Sequence, residues 1–382
     1  MTNSKPIYFD YAAATPLDKR VLAAMQPYFS DDFYNPSALY AAAGRTHKAL
    51  ESARTRVAAV LGARPSEIIF TAGGTESDNL AVHGVMQRYP QANIVTSSIE
   101  HEAVLAPAER YDHRLAPVLP DGSVDLQRLA ELIDDQTVLV SIMYANNEIG
   151  TVEPLTKISA LLRTIRDARR IAGNTLPLYF HTDACQASEY LDLHVARLGV
   201  DLLTLNGGKM YGPKQSGVLY VRGGILLEPQ VRGGGQERGL RSGTENVAAC
   251  IGLAAALEIA QTNRHQEARR LQALQKQFIS ELANHVPAAI VQGSRKQRLP
   301  NNVHVTIPGT DNERLLIQLD EAGILAAAGS ACSASNDTPS HVLQALGLSD
   351  NDARASLRFT MGRGTTAEQV TTAVLTLARS VA

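Results

Sequence analysis

Between about residues 16 and 250 the chain alternates short apolar, β-branched runs with longer stretches of helical period, an order that few folds accept. "EIIF" precedes "TESDNLAVHGVMQRY", "NIVTSS" precedes "HEAVLAPAERY", and "TVLVSIMYA" is followed by "TKISALLRTIRDARRIA". Repeated strand-then-helix patterns predict βαβ units, hence an α/β fold with a mostly parallel sheet covered by helices on both faces. Such sheets bind ligands beyond the carboxyl ends of their strands. The residues that follow the apolar runs are therefore the candidates for function: "TAGGTES" (71–77), "SSIEH" (97–101), "YANNE" (144–148), "HTDACQ" (181–186) and "LNGGK" (205–209).

Past residue 250 the pattern changes. Residues 251–285 read as one long amphipathic helix, a connector between domains. A smaller α+β unit follows, with a strand over 301–307, a helix over 312–323, a Gly/Ser/Ala-rich loop around Cys332 and a terminal helix from Thr366. A length of 382 residues suits two domains. The expected division gives a large domain over 16–255 and a small one built from 1–15 and 256–382.

The 36 basic and 38 acidic side chains nearly cancel, leaving no overall field to attract nucleic acid or an anionic membrane. A small uncharged or zwitterionic substrate fits that balance. The start, "MTNSKPIYFDYAAATP", lacks a charged end followed by a long apolar stretch, and no run reaches the length of a membrane span, so a cytoplasmic protein is expected. Cys185, Cys250 and Cys332 lie far apart without ligand spacing, which argues against a disulfide framework and a metal site. Any special cysteine would be a reactive thiol.

Each candidate taken alone has a plain structural reading beside a functional one. Gly74 and Thr75 follow a strand and open a helix, which suits a phosphate but also an ordinary cap. Asp183 ends an apolar strand, where a carboxylate could keep a ring nitrogen protonated or cap a helix. His101 could stack on a flat cofactor or pack structurally, and Asn146 and Asn147 could simply shape a turn. Lys209 is a loop cation or, in a shielded pocket, a Schiff-base lysine. Cys332, among Gly, Ser and Ala, is uncrowded enough for a nucleophilic thiol that must travel. The glycine-rich, basic run "RGGGQERGLRSGTENV" (232–247) fits no nucleotide-binding fingerprint and reads as a flexible binding loop.

The order of these segments is far more restrictive than any one of them. From "YFDYAAATP" (8–16) through "YNPSALY", "EIIFTAGGTESDNLAV", "SSIEHEAVL", "YANNEIGTV", "HTDACQA", "YGPKQSGVLYV", "GSACSAS" and "LRFTMGRGTT", the chain resembles the cysteine desulfurases. These form the NifS/IscS-like branch of class V, fold-type I pyridoxal-phosphate enzymes. The resemblance implies a large domain with a mostly parallel, seven-stranded-type sheet plus a smaller α+β domain, pyridoxal 5'-phosphate as cofactor, L-cysteine as substrate, a homodimer and a sulfur-acceptor protein.

Residue by residue, it implies that Lys209 carries the cofactor and removes the substrate α-proton, while Gly74 and Thr75 cradle the phosphate. Thr244 is expected to reach the phosphate of the neighbouring subunit. Asp183 would pair with the ring nitrogen, Asn147 and Gln186 would contact the ring hydroxyl side, and His101 would stack on the ring. Arg358 would bind the substrate carboxylate and Cys332 would become a persulfide.

The chain departs from the family's usual Ser-Gly-His-Lys at Asn206-Gly207-Gly208-Lys209, where a hydroxyl and an imidazole expected near the phosphate are replaced or missing. Asn206 is expected to compensate in part, and Gly208 implies a weaker or differently anchored cofactor rather than none. Residues 167–180, "DARRIAGNTLPLYF", read as an insertion-like surface loop. The chain stops at "TLARSVA", short of the tail that docks a scaffold, so desulfuration is implied more directly than iron–sulfur cluster or tRNA thiolation pathways. Rival readings are a selenocysteine lyase or aminotransferase of the same class, or a weakened sulfur-relay or scaffold homologue.

Overall fold

The computed structural model describes residues 5–329 and 339–381. Cys332 lies outside them. Seven strands form one sheet: β1 (Ile68–Thr71), β2 (Asn93–Ser97), β3 (Asp112–Ala116), β4 (Thr137–Ser141), β5 (Tyr179–Asp183), β6 (Leu202–Asn206) and β7 (Gly217–Val221). Their order across the sheet is β1-β7-β6-β5-β4-β2-β3. Every neighbouring pair is parallel except those that β7 makes, antiparallel, with β1 and β6. The α/β expectation of a mostly parallel seven-stranded sheet matches this architecture.

Strands β1, β2, β4 and β7 are buried along their whole length, which is why they appear in the sequence as continuous apolar runs. The reversal of β7 has a consequence for the site. Its N-terminal end, preceded by Lys214 and Gln215, meets the same sheet edge as the C-terminal ends of β1 and β6, because Gly217 pairs with both Thr71 and Asn206.

A second sheet is antiparallel: β8 (Ile290–Val291), β9 (Asn302–Thr306) and β10 (Ser356–Thr360), in the order β10-β9-β8. The helix Val247–His285 feeds both apolar cores. Ala248 to Ala260 pack into a cluster with β1, β4, β5 and β6, while Leu271, Leu274, Phe278 and Leu282 join one with Phe9, β9, β10 and the terminal helix Ala367–Val381. Asn246 caps this helix by accepting the Ala249 N–H, which explains its start.

Residues 167–180 differ from the expected surface loop. The helix Leu155–Ile171 continues through Asp167–Ile171, and Tyr179 and Phe180 already belong to β5. Arg169 and Arg170 occupy the last turn, where cations complement the helix dipole. Buried Arg169 also donates to the Thr137 carbonyl at 2.8 Å, tying the helix end to β4. Only 172–178 connects the two elements.

Candidate active site

The C-terminal edge of the large sheet meets the small sheet around a cavity of about 240 Å³. Its walls include Gly74, Thr75, His101, Asn147, Asp183, Gln186, Asn206, Lys209 and Arg358, nine of the residues singled out in the sequence. A wider recess of about 560 Å³ adjoins it, sharing Gly74, Thr75, Asn206 and Lys209 and adding Gly208, Lys214 and Gln215.

Lys209 leaves β6 through the single turn Gly207–Lys209. Asn206 caps that turn, its Oδ1 accepting the Gly208 N–H at 2.9 Å, so the amide Nδ2 is left as the free donor. The Lys209 Nζ donates to the carbonyls of Ala12 and Ala13, both at 2.8 Å. Neutral acceptors suit an amine as well as an ammonium. Burial lowers the lysine pKa, with the Arg358 charge acting in the same direction and Cys185, Asp183 and Asp10 opposing.

Attack on a carbonyl needs the neutral amine. With the cofactor removed, the rate at which Lys209 takes pyridoxal phosphate back is expected to rise with pH and level off below about 10.4, the ordinary lysine value. A stopped-flow pH profile checks this. A rate that still climbs through that pH would contradict the shielding of Lys209.

The helix Gly74–Met86 points its N-terminus at the junction of cavity and recess. Its N-cap, Gly73, supplies no side-chain acceptor to the first N–H groups. A Cβ at Gly74 would lie 2.8 Å from the Cys185 Sγ, so only glycine lets the helix end approach β5 this closely. Uncapped N–H groups at a positive helix end form an anion site.

Asp183 is buried at the end of β5, its Oδ1 accepting the Cys185 N–H at 2.8 Å. Asp78, one helical turn beyond Gly74, lines the same cavity, and its Oδ1 has no hydrogen bond, the His181 Nε2 lying 3.6 Å away. Burial, then the nearby Asp183 carboxylate, pushes the Asp78 pKa well above the carboxylate range. That shift favours the protonated form of Asp78. Burial, reinforced by both carboxylates, also pushes the Cys185 thiol well up, which makes this cysteine a packed, neutral group rather than a nucleophile.

His101 is a structural cap that also lines the cavity. Its Nδ1 accepts the Ala103 N–H at 3.0 Å as the cap of Glu102–Ala108, and its ring remains on the cavity wall. The Gln186 Nε2 donates to the Ala12 carbonyl at 3.0 Å, and the Asn147 carbonyl accepts from Arg358 Nη1 at 3.1 Å. Arg358, at the centre of β10 and 2% exposed, also donates Nη2 to Asp10 Oδ1 at 2.7 Å, while its buried Nε has no partner. A guanidinium on the cavity wall with an unpaired donor suits a carboxylate.

Thr244 is not brought to this cavity. It is exposed and lines a separate one, of about 240 Å³, with Phe70, Gln215 and Cys250. The sequence reasoning missed Asp10, Asp78 and the two alanine carbonyls. Asp78 had a readable signal, the four-residue spacing from Gly74 that puts both on one helix face. Backbone carbonyls have none.

The arrangement fits pyridoxal phosphate: an uncapped helix end for the phosphate, a carboxylate for the ring nitrogen and a shielded lysine for the carbonyl. The comparisons agree. Residues 7–372 match the family Aminotransferase class-V. A cysteine desulfurase IscS of Dictyoglomus turgidum is 40% identical over 96% of this chain and 92% of its own length. Another from Methanosarcina thermophila is 40% identical over 97% of this chain and 90% of its own. Among solved structures, a NifS-like protein shares 32% identity with a TM-score of 0.89 over 98% of each chain. The structure titled "SspA in complex with cysteine" shares 35% identity with a TM-score of 0.79 over 93% of this chain and 98% of its own. The chain belongs to the aminotransferase class-V family, among its cysteine desulfurases.

Proposed function

We propose that this protein uses pyridoxal phosphate to convert L-cysteine to L-alanine, passing the sulfur to Cys332 as a persulfide. The observation that carries the reading is the convergence of Lys209, Asp183 and Arg358 on one cavity beneath the open end of the Gly74 helix. When bound, the cofactor supplies an electron sink that stabilises the negative charge left at the substrate α-carbon.

The chain's own residues do the rest. Gly74 and Thr75 bind the phosphate with backbone N–H groups, helped by the Asn206 amide. With the cofactor bound, Asp183 would hold a proton on its ring nitrogen, and His101 would pack against its ring. Asn147 and Gln186 flank the ring hydroxyl. Arg358 orients the substrate through its carboxylate, and Lys209 moves the α-proton. The Cys332 thiolate attacks the substrate sulfur. One C–S bond breaks and one S–S bond forms, and the electron pair left on carbon takes up a proton to give alanine.

The assignment of L-cysteine rests on the named relatives and on the neighbour solved with cysteine. A thiol at 332 favours desulfuration over transamination, which uses none. Cys332→Ala should lose persulfide formation, and continued alanine production would refute the thiol's role.

A homodimer is the proposed assembly. Phe29 and Phe33, each more than 60% exposed, and a wholly exposed Leu39 are apolar side chains that a second copy would cover. Thr244, on the neighbouring recess, would then serve the phosphate of the other copy. The domain division at about residue 255 belongs to the same proposal. Among the described residues no helix is long and apolar enough to cross a membrane. A chemistry built on free thiols suits the reducing cytoplasm. A sulfur-acceptor protein completes the cycle.

The Gly208 departure is directly testable. A Cβ there would meet Asn206 Oδ1 at 3.4 Å and Lys214 Cγ at 3.5 Å, ordinary contact distances, so the backbone accepts a side chain. Gly208→His should tighten pyridoxal phosphate by about tenfold to a hundredfold, the worth of one hydrogen bond to a charged group. Titration of the cofactor-free protein measures it. Unchanged affinity would mean that Asn206 already fills the role.

A further inference from the structure

Lys209 and Arg358, the two cations of the cavity, are both held by one short turn. Residues 10–13 follow the strand Ile7–Tyr8, which pairs in parallel with Ile324–Leu325. Ala12 and Ala13 accept from Lys209, and Asp10 accepts from Arg358. The Tyr8 Oη, donating to the carbonyls of Asp10 and Ala14 at 2.8 and 3.0 Å, fixes the turn from the other side.

The guanidinium of Arg358 is almost wholly buried, whereas the Asp10 side chain is 21% exposed. Asp10 offsets part of the cost of burying that cation. Yet a fork of N–H donors is what an amino-acid carboxylate needs, and Asp10 holds part of it. One N–H of Nη1 goes to a backbone carbonyl, one of Nη2 goes to Asp10, and Nε has no partner.

We propose that Asp10 is a specificity-determining residue that occupies the carboxylate fork of Arg358 in the free enzyme and sets how strongly that fork discriminates for a carboxylate. This rests on the reading of Arg358 as the substrate-carboxylate site. A bound substrate brings a second carboxylate to a guanidinium already paired, and the two anions repel. Carboxylate binding is therefore weaker than Arg358 alone would give, and product alanine leaves more readily.

The test uses the holoenzyme with L-alanine and L-alaninamide, which differ only in the carboxylate, and follows binding by the visible absorbance of the cofactor. Asp10→Asn keeps an acceptor for Nη2 and removes the charge. It should bind alanine about tenfold more tightly and alaninamide within about twofold of the parent. Asp10→Ser, smaller and equally neutral, should show the same selective tightening, and Asp10→Glu should restore the parent's preference. Arg358→Gln should lose the preference for alanine over its amide. If both neutral Asp10 variants bind alanine no more tightly, or tighten both ligands alike, the proposal is wrong. If Arg358→Gln keeps the parent's preference, the carboxylate reading of Arg358 fails and the proposal falls with it. A loss of preference in Arg358→Gln with no effect in either neutral Asp10 variant overturns the proposal alone.

Discussion

Lys209→Ala should purify without the visible absorbance of a lysine-bound pyridoxal group and should form alanine from cysteine at least about a thousandfold more slowly. Two roles converge on the one amine. In the proposed function it would anchor the cofactor covalently and move the substrate α-proton. Burial lowers its pKa, which raises the share of neutral amine at a given pH. The methyl of alanine would leave the Ala12 and Ala13 carbonyls without their donor, but both belong to a turn held independently by Tyr8. Loss of activity without loss of fold is therefore expected, checked by the circular dichroism of the variant beside its alanine yield. An unchanged absorption spectrum would place the Schiff-base lysine elsewhere.

Asp183→Asn is the second large effect, a fall in turnover of about a hundredfold to a thousandfold. The amide keeps an acceptor for the Cys185 N–H, so the local geometry survives and only the charge is lost. Without that charge the ring nitrogen is no longer held protonated, and the electron sink is weaker. Asp78 limits the damage. Its protonated form is favoured by burial and by Asp183, so removal of Asp183 eases its ionisation. The double variant Asp78→Asn/Asp183→Asn should accordingly turn over more slowly than Asp183→Asn. Equal rates in the two would show that Asp78 gives no support.

The strand-end rule explains why so much of this cavity was legible in the sequence. Lys209, Asp183, Asn147 and His101 each follow an apolar run, and in a parallel sheet all such positions meet at one edge. Lys209 alone read more readily as a loop cation, and its meaning came from the ordered series around it. The rest was hidden for physical reasons. The acceptors of Lys209 lie 196 and 197 residues away in the chain and are backbone carbonyls, which no side-chain pattern marks. Asp10 stood in a quoted motif, yet its pairing with Arg358 joins positions 348 residues apart.

Residues 167–180 misled because Gly173, Asn174 and Pro177 look like a loop, while the helix before them runs on to Ile171, where two arginines favour the helix end. Thr244 is a different case. It stands on a separate recess of its own chain, and the role the resemblance implies for it depends on a second copy.

The central claim is desulfuration, and one measurement tests it most directly. The purified protein, loaded with pyridoxal phosphate and given L-cysteine with a thiol reductant, should release alanine and sulfide in equal amounts, and Lys209→Ala should release neither. Alanine without sulfide, or no reaction from a fully loaded protein, would contradict the account.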